Sequence, residues 1–213
     1  MEYKEYVELI KRQIRTQDCR ERVYQDNIIR PFLQSVFMDL DIEPVDIKIP
    51  SEIHEYEQYC GTYFKDKKEL PATPDLCITS EWHWNNKEVD VDYKGVVEIK
   101  SPILNYITGF PPSKYNCLEE IERHLQAKKN TKVILTDGVT WTFYDKDNGF
   151  IKPVIEPICL GELEYRYKKS KYNKHIVERT KGRIPIVEDI HFPDKNEKMF
   201  NKLKDELKMF IQK

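Results

Sequence analysis

The chain has 213 residues, 39% of them hydrophobic and 12% aromatic, which supports a packed core and excludes the aromatic-poor composition of a disordered chain. Lys and Arg number 35 against 37 Asp and Glu, so only a local basic surface, not net charge, could supply a nucleic-acid partner. The five cysteines (Cys19, Cys60, Cys77, Cys117, Cys159) form no Cys-x-x-Cys pair, and no run approaches the roughly 18 apolar residues of a membrane span, which argues against a zinc site, a disulfide framework and a membrane partner.

Tyr3, Tyr6, Val7, Ile10 and Ile14 recur at helical spacing and predict an amphipathic helix over 3–14. A second helical pattern runs over 19–40 through Val23, Tyr24, Ile28, Phe32, Leu33, Val36 and Phe37, and Pro31 should kink or divide it. Residues 44–50 alternate apolar and charged side chains between two prolines, as a half-exposed strand does. The stretch 51–71 carries a Cys-Gly-Thr turn signal and reads as a strand or an ordered loop.

Pro74 punctuates the entry to a short apolar strand over 73–79, and the polar residues 81–92 read as a hairpin connection. Trp82 and Trp84 flank His83 there, and packing of the indoles on the sheet is the expected use of them; His83 has no partner at ligand spacing. Residues 94–102 are a β-branched run bounded by Gly and Pro, which suits a central strand. Beyond the crossover at Pro111 and Pro112, a helix over 114–129, a strand over 132–136, a turn at Asp137-Gly138, a strand over 139–144 and a turn at Asp147-Asn148-Gly149 follow.

Residues 166–183 carry 8 Lys or Arg against a single Glu, with Tyr167 and Tyr172 between them, and a last amphipathic helix covers 195–211. This order predicts the α/β class, with a central mixed β-sheet of about four or five strands flanked by helices. The expected organisation is a core over 1–160 with a basic, aromatic segment and helix over 161–213 packed on the same domain. The absence of a secretory leader at Met1 reads as a cytoplasmic location.

Side chains alternate faces along a strand, so Glu98 and Lys100 project to one side and Val97 and Ile99 to the other. Charge placed inside a sheet is unfavourable unless it is paired or holds a metal, so two charges in a β-branched strand point to a pocket. Asp75 joins them if its strand pairs with theirs. Two carboxylates and the Ile99 backbone carbonyl then offer the hard oxygen ligands that Mg²⁺ or Mn²⁺ takes. Such a cation acidifies water and polarises a phosphoryl oxygen, and Lys100 is suited to orient the water and to stabilise the charge that develops. An exposed cross-strand ion pair is the plainer reading of the same residues.

Thr73-Pro74-Asp75, 22 residues, and then Glu98-Ile99-Lys100 resembles the PD-(D/E)XK nuclease motif. Glu21 through Phe32-Leu33 is similar to the opening helix of the nuclease domains of type I restriction subunits and their relatives, and 133–144 echoes their later strand pair, so the resemblance spans about residues 19–145. It departs from them in its long gap between Asp75 and Glu98, and in having only His124 and Gln126 as loose substitutes for a Gln-x-x-x-Tyr element.

The resemblance implies a restriction-endonuclease-like core and an Mg²⁺- or Mn²⁺-dependent endodeoxyribonuclease that hydrolyses DNA phosphodiesters in restriction or defence against foreign DNA. It also implies that Glu21 joins Asp75, Glu98 and Ile99 at the metal and is catalytic along with Asp75, Glu98 and Lys100. The basic segment would then be a substrate-contacting arm, with Lys168, Lys169, Lys171, Lys174 and Arg179 on phosphates. RNA is the alternative substrate, a homodimer would serve cleavage of both strands, and a catalytically inactive nucleic-acid- or protein-binding module is the alternative function.

Overall fold

The computed structural model describes residues 1–45, 61–83, 91–103, 117–148, 152–169, 183–193 and 196–212, without the side chains of 165–169 and 183–186. Helix α1 (Tyr3–Thr16) turns Tyr6, Val7, Ile10, Gln13 and Ile14 inward at the three-and-four spacing of one helical face. It closes at Gln17, whose backbone is left-handed (φ 54°) and whose N–H donates to the Ile14 carbonyl at 3.0 Å.

The second helical stretch is divided into α2 (Glu21–Tyr24), a π turn (Gln25–Ile29) and α3 (Arg30–Val36). Pro31 accounts for the wide turn: it has no N–H to donate, and its ring crowds the carbonyl one turn back. Widening relieves the crowding, with the Arg30 N–H donating to the Gln25 carbonyl. Regular helix stops at Val36, short of the expected residue 40.

Strands β1 (Asp41–Pro44), β4 (Leu76–Thr79), β5 (Tyr93–Ile99), β6 (Lys132–Thr136), β7 (Thr140–Asp145) and β8 (Ile158–Cys159) form a six-stranded mixed sheet in the order β1-β4-β5-β6-β7-β8. The α/β class is as expected, with more strands than the four or five anticipated. Strand β1 begins before the predicted 44–50, and Pro44 is tolerated because β1 is an edge strand; residues 46–50 lie outside the described residues, as do 51–60.

Within 61–71 the chain forms a hairpin, β2 (Thr62–Lys65) and β3 (Lys68–Pro71). Helix α4 (Cys117–Gln126) precedes β6, which pairs parallel with β5, while the other described pairs in the sheet are antiparallel. The region read as irregular and basic contains a second hairpin, β9 (Glu162–Lys169) with β10 (Arg183–His191). Charged residues at exposed positions, Glu162, Glu164, Glu188 and Asp189 among them, hid its pattern. Helix α5 (Glu197–Gln212) ends the chain. Among the described residues no helix is long and apolar enough to cross a membrane.

The sheet separates two apolar layers. On one face Leu76, Ile78, Val97, Ile99, Ile134, Trp141 and Phe143 meet α1, α3 and α5, with Tyr6, Phe32 and Phe200 ring centroids 4.9 to 5.3 Å apart. Val187, Ile190, Phe200, Leu203 and Leu207 belong to this same cluster, so residues beyond 160 share the core of those before it. The opposite face, Cys77, Val96, Val133 and Leu135, is covered by Ile121 and Leu125 of α4, with Trp82 packed at its edge as expected. Trp84 lies outside the described residues. Cys19, Cys77, Cys117 and Cys159 are not in disulfides, and Cys60 lies outside the described residues.

Two tyrosines fasten the N-terminal helices to the β6–β7 turn. The Tyr6 hydroxyl donates to the Gly138 carbonyl at 2.6 Å, and the Tyr24 hydroxyl donates to the Asp137 carbonyl at 2.7 Å. A side chain at Gly138 would strike the Tyr24 ring, and the residue is left-handed (φ 76°), so glycine is required on both counts. Asp137 is fully buried, its Oδ1 accepting from the N–H groups of Val139 (2.9 Å) and Thr140 (2.6 Å).

Burial pushes the Asp137 carboxyl up to about 6 against those two bonds. A raised folded-state pKa makes its contribution to stability complete below about pH 4 and lost as pH rises through about 6, a change on the order of 2 to 3 kcal/mol. Asp137→Asn keeps an acceptor for both N–H groups. The unfolding free energy of Asp137→Asn relative to wild type, from urea titrations, is expected to rise by about that amount between pH 4 and 7; a constant difference contradicts the assignment.

Candidate functional site

The site lies on the α4 side of the sheet, at the ends of β4 and β5. The register Leu76↔Val97 and Cys77↔Val96, carried one step past the end of β4, sets Asp75 across from Glu98. Asp75 Oδ2 accepts from the Ile99 N–H at 2.6 Å, and the Asp75 carbonyl accepts from the Val45 N–H at 3.2 Å, so β1 and β5 hold the residue from two sides. Alternation along β5 sends Val97 and Ile99 into the helix-covered core and Glu98 toward α4, as expected. The Lys100 N–H donates to the Thr136 carbonyl at 2.9 Å, which prolongs the β5–β6 pairing past Ile99 and keeps Lys100 on the Glu98 face.

Glu98 and Lys100 are only 5% and 3% exposed, so the solvated ion pair of the plainer reading does not describe them. Lys100 Nζ lies 2.5 Å from Glu98 Oε1 and 2.8 Å from Glu120 Oε2. The other Glu98 oxygen accepts from His124 Nε2 at 2.9 Å, and the second Glu120 oxygen meets Arg123 at 3.2 Å. The ammonium is thus wedged between two carboxylates, one on the strand and one on the helix.

Helix α4 can do this because Cys117, Ile121, His124 and Leu125 form its sheet-facing stripe, and Glu120 falls on the edge of that stripe, one turn before His124. Of the two substitutes considered on this helix, His124 turns inward, while Gln126 is exposed and donates to Glu122 at 3.4 Å. Glu120 was not singled out in the sequence. Its signal was available in the helical periodicity, which puts an acid beside buried residues where a solvated face would be expected.

Glu21, the first residue of α2, reaches across to β5: its Oε1 accepts from the Ser101 N–H at 3.3 Å. Tyr24, one turn later, carries the anchor to Asp137, so the hydroxyl that fastens α2 also sets Glu21 over the strand end. The structure therefore brings Asp75, Glu98, Lys100 and Glu21 together. The Ile99 side chain faces the opposite core, and its backbone N–H donates to Asp75.

Lys168 and Lys169 are backbone positions near the end of β9, whereas Lys171, Lys174 and Arg179 lie outside the described residues. His83 pairs with Glu81 at 3.3 Å, which gives it a surface role.

Four carboxylates surround one ammonium, and their proton affinities separate accordingly. Burial drives the Asp75 carboxyl well above the usual carboxylate range, and the neighbouring Glu98 charge adds to the rise. Burial also raises Glu21, with Lys100 opposing. Glu120 is pushed up to about 7, first by burial and then by its hydrogen bond and charge repulsion with Glu98. Glu98 alone falls, to about 2, because His124 and Lys100 outweigh its burial. Lys100 is desolvated, yet Glu98 and Glu120 lift it above the usual ammonium value.

Carboxylates are the hard oxygen donors that a divalent cation takes, and burial raises the proton affinity of Asp75, Glu21 and Glu120, with the neighbouring Glu98 charge adding to each rise. Among the described residues no three His, Cys, Asp or Glu side chains stand together as a ready-made metal cage. The Lys100 ammonium occupies the space between Glu98 and Glu120 that would otherwise concentrate negative charge.

Lys100→Met removes the cation and leaves Glu98 and Glu120 buried without it, which should lower the unfolding free energy by about 3 to 5 kcal/mol. Adding Glu120→Gln in the same chain should recover part of that loss, because the helix partner is then neutral. Urea denaturation of the two single variants and the double variant measures the coupling; additive effects would show that Lys100 and Glu120 do not interact.

Comparison with models of known families, with curated proteins and with solved structures gives no match to this chain.

Proposed function

We propose that the chain is a divalent-metal-dependent nuclease of the PD-(D/E)XK kind, with a restriction-endonuclease-like core, that hydrolyses DNA phosphodiesters. The single observation that carries the reading is the convergence of Asp75, Glu98 and Lys100 at the end of a central strand, with Asp75 accepting from the Ile99 N–H and Lys100 bonded to Glu98. Convergence of an acid, a second acid and an amine matches the chemistry that phosphodiester hydrolysis requires of a protein.

Asp75, Glu98, Glu21 and the Ile99 carbonyl are the groups assigned to hold Mg²⁺ or Mn²⁺. When bound, the cation supplies acidified water and polarises the phosphoryl oxygen. Lys100 contributes a positive charge that does not titrate near neutrality, because Glu98 and Glu120 stabilise its ammonium; at the phosphate it would stabilise charge on the transition state. His124 and Glu120 act through these residues, holding the Glu98 carboxylate and the Lys100 amine in their orientations. Restriction of foreign DNA is the biological setting proposed with this activity.

A second reading, a non-catalytic nucleic-acid- or protein-binding module, is favoured by the engagement of both Glu98 oxygens with Lys100 and His124. Cleavage separates the two.

With Mg²⁺, wild type is expected to nick supercoiled plasmid, and Asp75→Asn to do so at least about 100-fold more slowly. Asn retains an oxygen for the Ile99 N–H and removes a buried carboxylate that burial and Glu98 disfavour, so this variant should melt no lower than wild type at pH 7.5. Its raised pKa puts the stability contributed by Asp75 on the acidic side, lost as pH rises, so the neutral amide gains at neutral pH. Mn²⁺ should raise the melting temperature of wild type and not that of Asp75→Asn. Undiminished nicking by Asp75→Asn would remove the enzyme assignment, and no cleavage of DNA or RNA by wild type would leave the binding module.

A further inference from the structure

The β2–β3 hairpin presents an aromatic ring and three lysines to solvent in a place where the local structure favours neither. Phe64 is 64% exposed although the adjacent Tyr63 is buried. The two-residue loop, Asp66-Lys67, has both residues at positive φ (51° and 65°), the conformation for which Asn-Gly or Asp-Gly is the preferred pair. Lysine stands where glycine would relieve the backbone. Lys65 and Lys68 are register partners, so like charges also face each other across the closing pair of the ladder. Each choice works against the hairpin as a structural element, and each adds a cation to its tip, where Lys65, Lys67 and Lys68 outnumber Asp66.

The hairpin also forms one wall of a groove of about 270 Å³ whose other wall is α4. Tyr63, Phe64 and Lys65 line one side, and Glu119, Glu122 and Arg123 line the other. Arg123 connects this groove to the candidate site, since it pairs with Glu120 at 3.2 Å and Glu120 pairs with Lys100 at 2.8 Å. The two walls differ in what they accept. The lysine ridge attracts phosphates, whereas the carboxylates of Glu119 and Glu122 repel phosphates and accept hydrogen bonds from the exocyclic amines of bases.

We propose that this hairpin and groove bind an unpaired stretch of the nucleic-acid strand, with a base stacked on Phe64 and turned toward α4 and the phosphates running along Lys65, Lys67 and Lys68. The assignment deepens the nuclease reading and rests on it for the identity of the ligand. Paired bases keep their faces covered by their neighbours, so an exposed ring at the edge of a groove discriminates single strands from duplex, and stacking tolerates any base sequence.

The test is fluorescence anisotropy of the full chain with a labelled 20-nucleotide oligodeoxycytidylate, whose bases carry an exocyclic amine, and with a blunt duplex of the same length, in EDTA so that no strand is cut, alongside the plasmid assay in Mg²⁺. Phe64→Ala is expected to weaken single-strand binding about tenfold and duplex binding by less than about twofold, and Phe64→Trp to bind like wild type. Lys67→Gly should reduce the slope of log affinity against log salt by about 0.7 on the single strand while raising the melting temperature. Wild-type single-strand affinity that is absent, unchanged in Phe64→Ala or lost equally on both ligands would overturn the site. Cleavage by wild type together with unchanged Phe64→Ala binding would overturn the site and leave the nuclease reading standing. Selective loss of single-strand binding in a protein that cuts nothing would uphold the site and remove the nuclease reading.

Discussion

A buried ammonium between two carboxylates organises this molecule around the interface of β5 and α4. Lys100 is almost wholly withdrawn from water, so its desolvation must be offset locally, and Glu98 from the strand and Glu120 from the helix do this at 2.5 and 2.8 Å. The same requirement ties a crossover helix to the strand it follows. Ile121 and Leu125 supply apolar contact, while Glu120 and His124 supply the polar contact that fixes the helix's rotation about its axis. An error in that rotation would strand a charge inside the protein.

The opposite face of the sheet has a different task. Its ring cluster of Tyr6, Phe32, Trp141 and Phe200 belongs to an apolar layer that also holds Tyr24, and the Tyr6 and Tyr24 hydroxyls clamp α1 and α2 to the β6–β7 turn. Through Tyr24 that clamp sets the position of Glu21, which approaches the site from the far side of Ser101. The rigid layer and the charged layer are therefore linked through one short helix. The π turn that follows α2 lets Pro31 fit without ending the helical stretch, so the residues that pack the core remain continuous with the residue that faces the site.

Charge balance within the site has a chemical consequence. Glu98 stays ionised because two donors hold it, whereas Asp75, Glu21 and Glu120 bind protons more tightly than exposed acids do. Such division among neighbouring acids is the expected result of one cation serving several anions in a region of low dielectric. It leaves the cluster receptive to further positive charge. On the surface, the β2–β3 hairpin shows the converse imbalance, a tip rich in lysine beside an acidic helix face.

Local patterns in the chain were sufficient to identify α1 and α5 from their apolar period, α4 from its length and charge mix, and β4, β5, β6 and β7 as short apolar or β-branched runs that are buried nearly throughout, and to put Glu98 and Lys100 on a common face. Residues 162–169 and 183–191 were unreadable as strands, since charged residues such as Glu162, Glu164, Glu188 and Asp189 at exposed positions mask a pattern that only pairing reveals. Asp75 could be named from its neighbours in sequence, but its approach to Glu98 depended on the register of β4 against β5, which local sequence does not fix. Glu120 and the inward turn of His124 depended on how α4 is rotated against the sheet. Sequence alone determines which residues recur on a face, as that follows from backbone period. Which faces meet, and at what register and rotation, is decided by burial across distant segments, and that is a property of the folded chain.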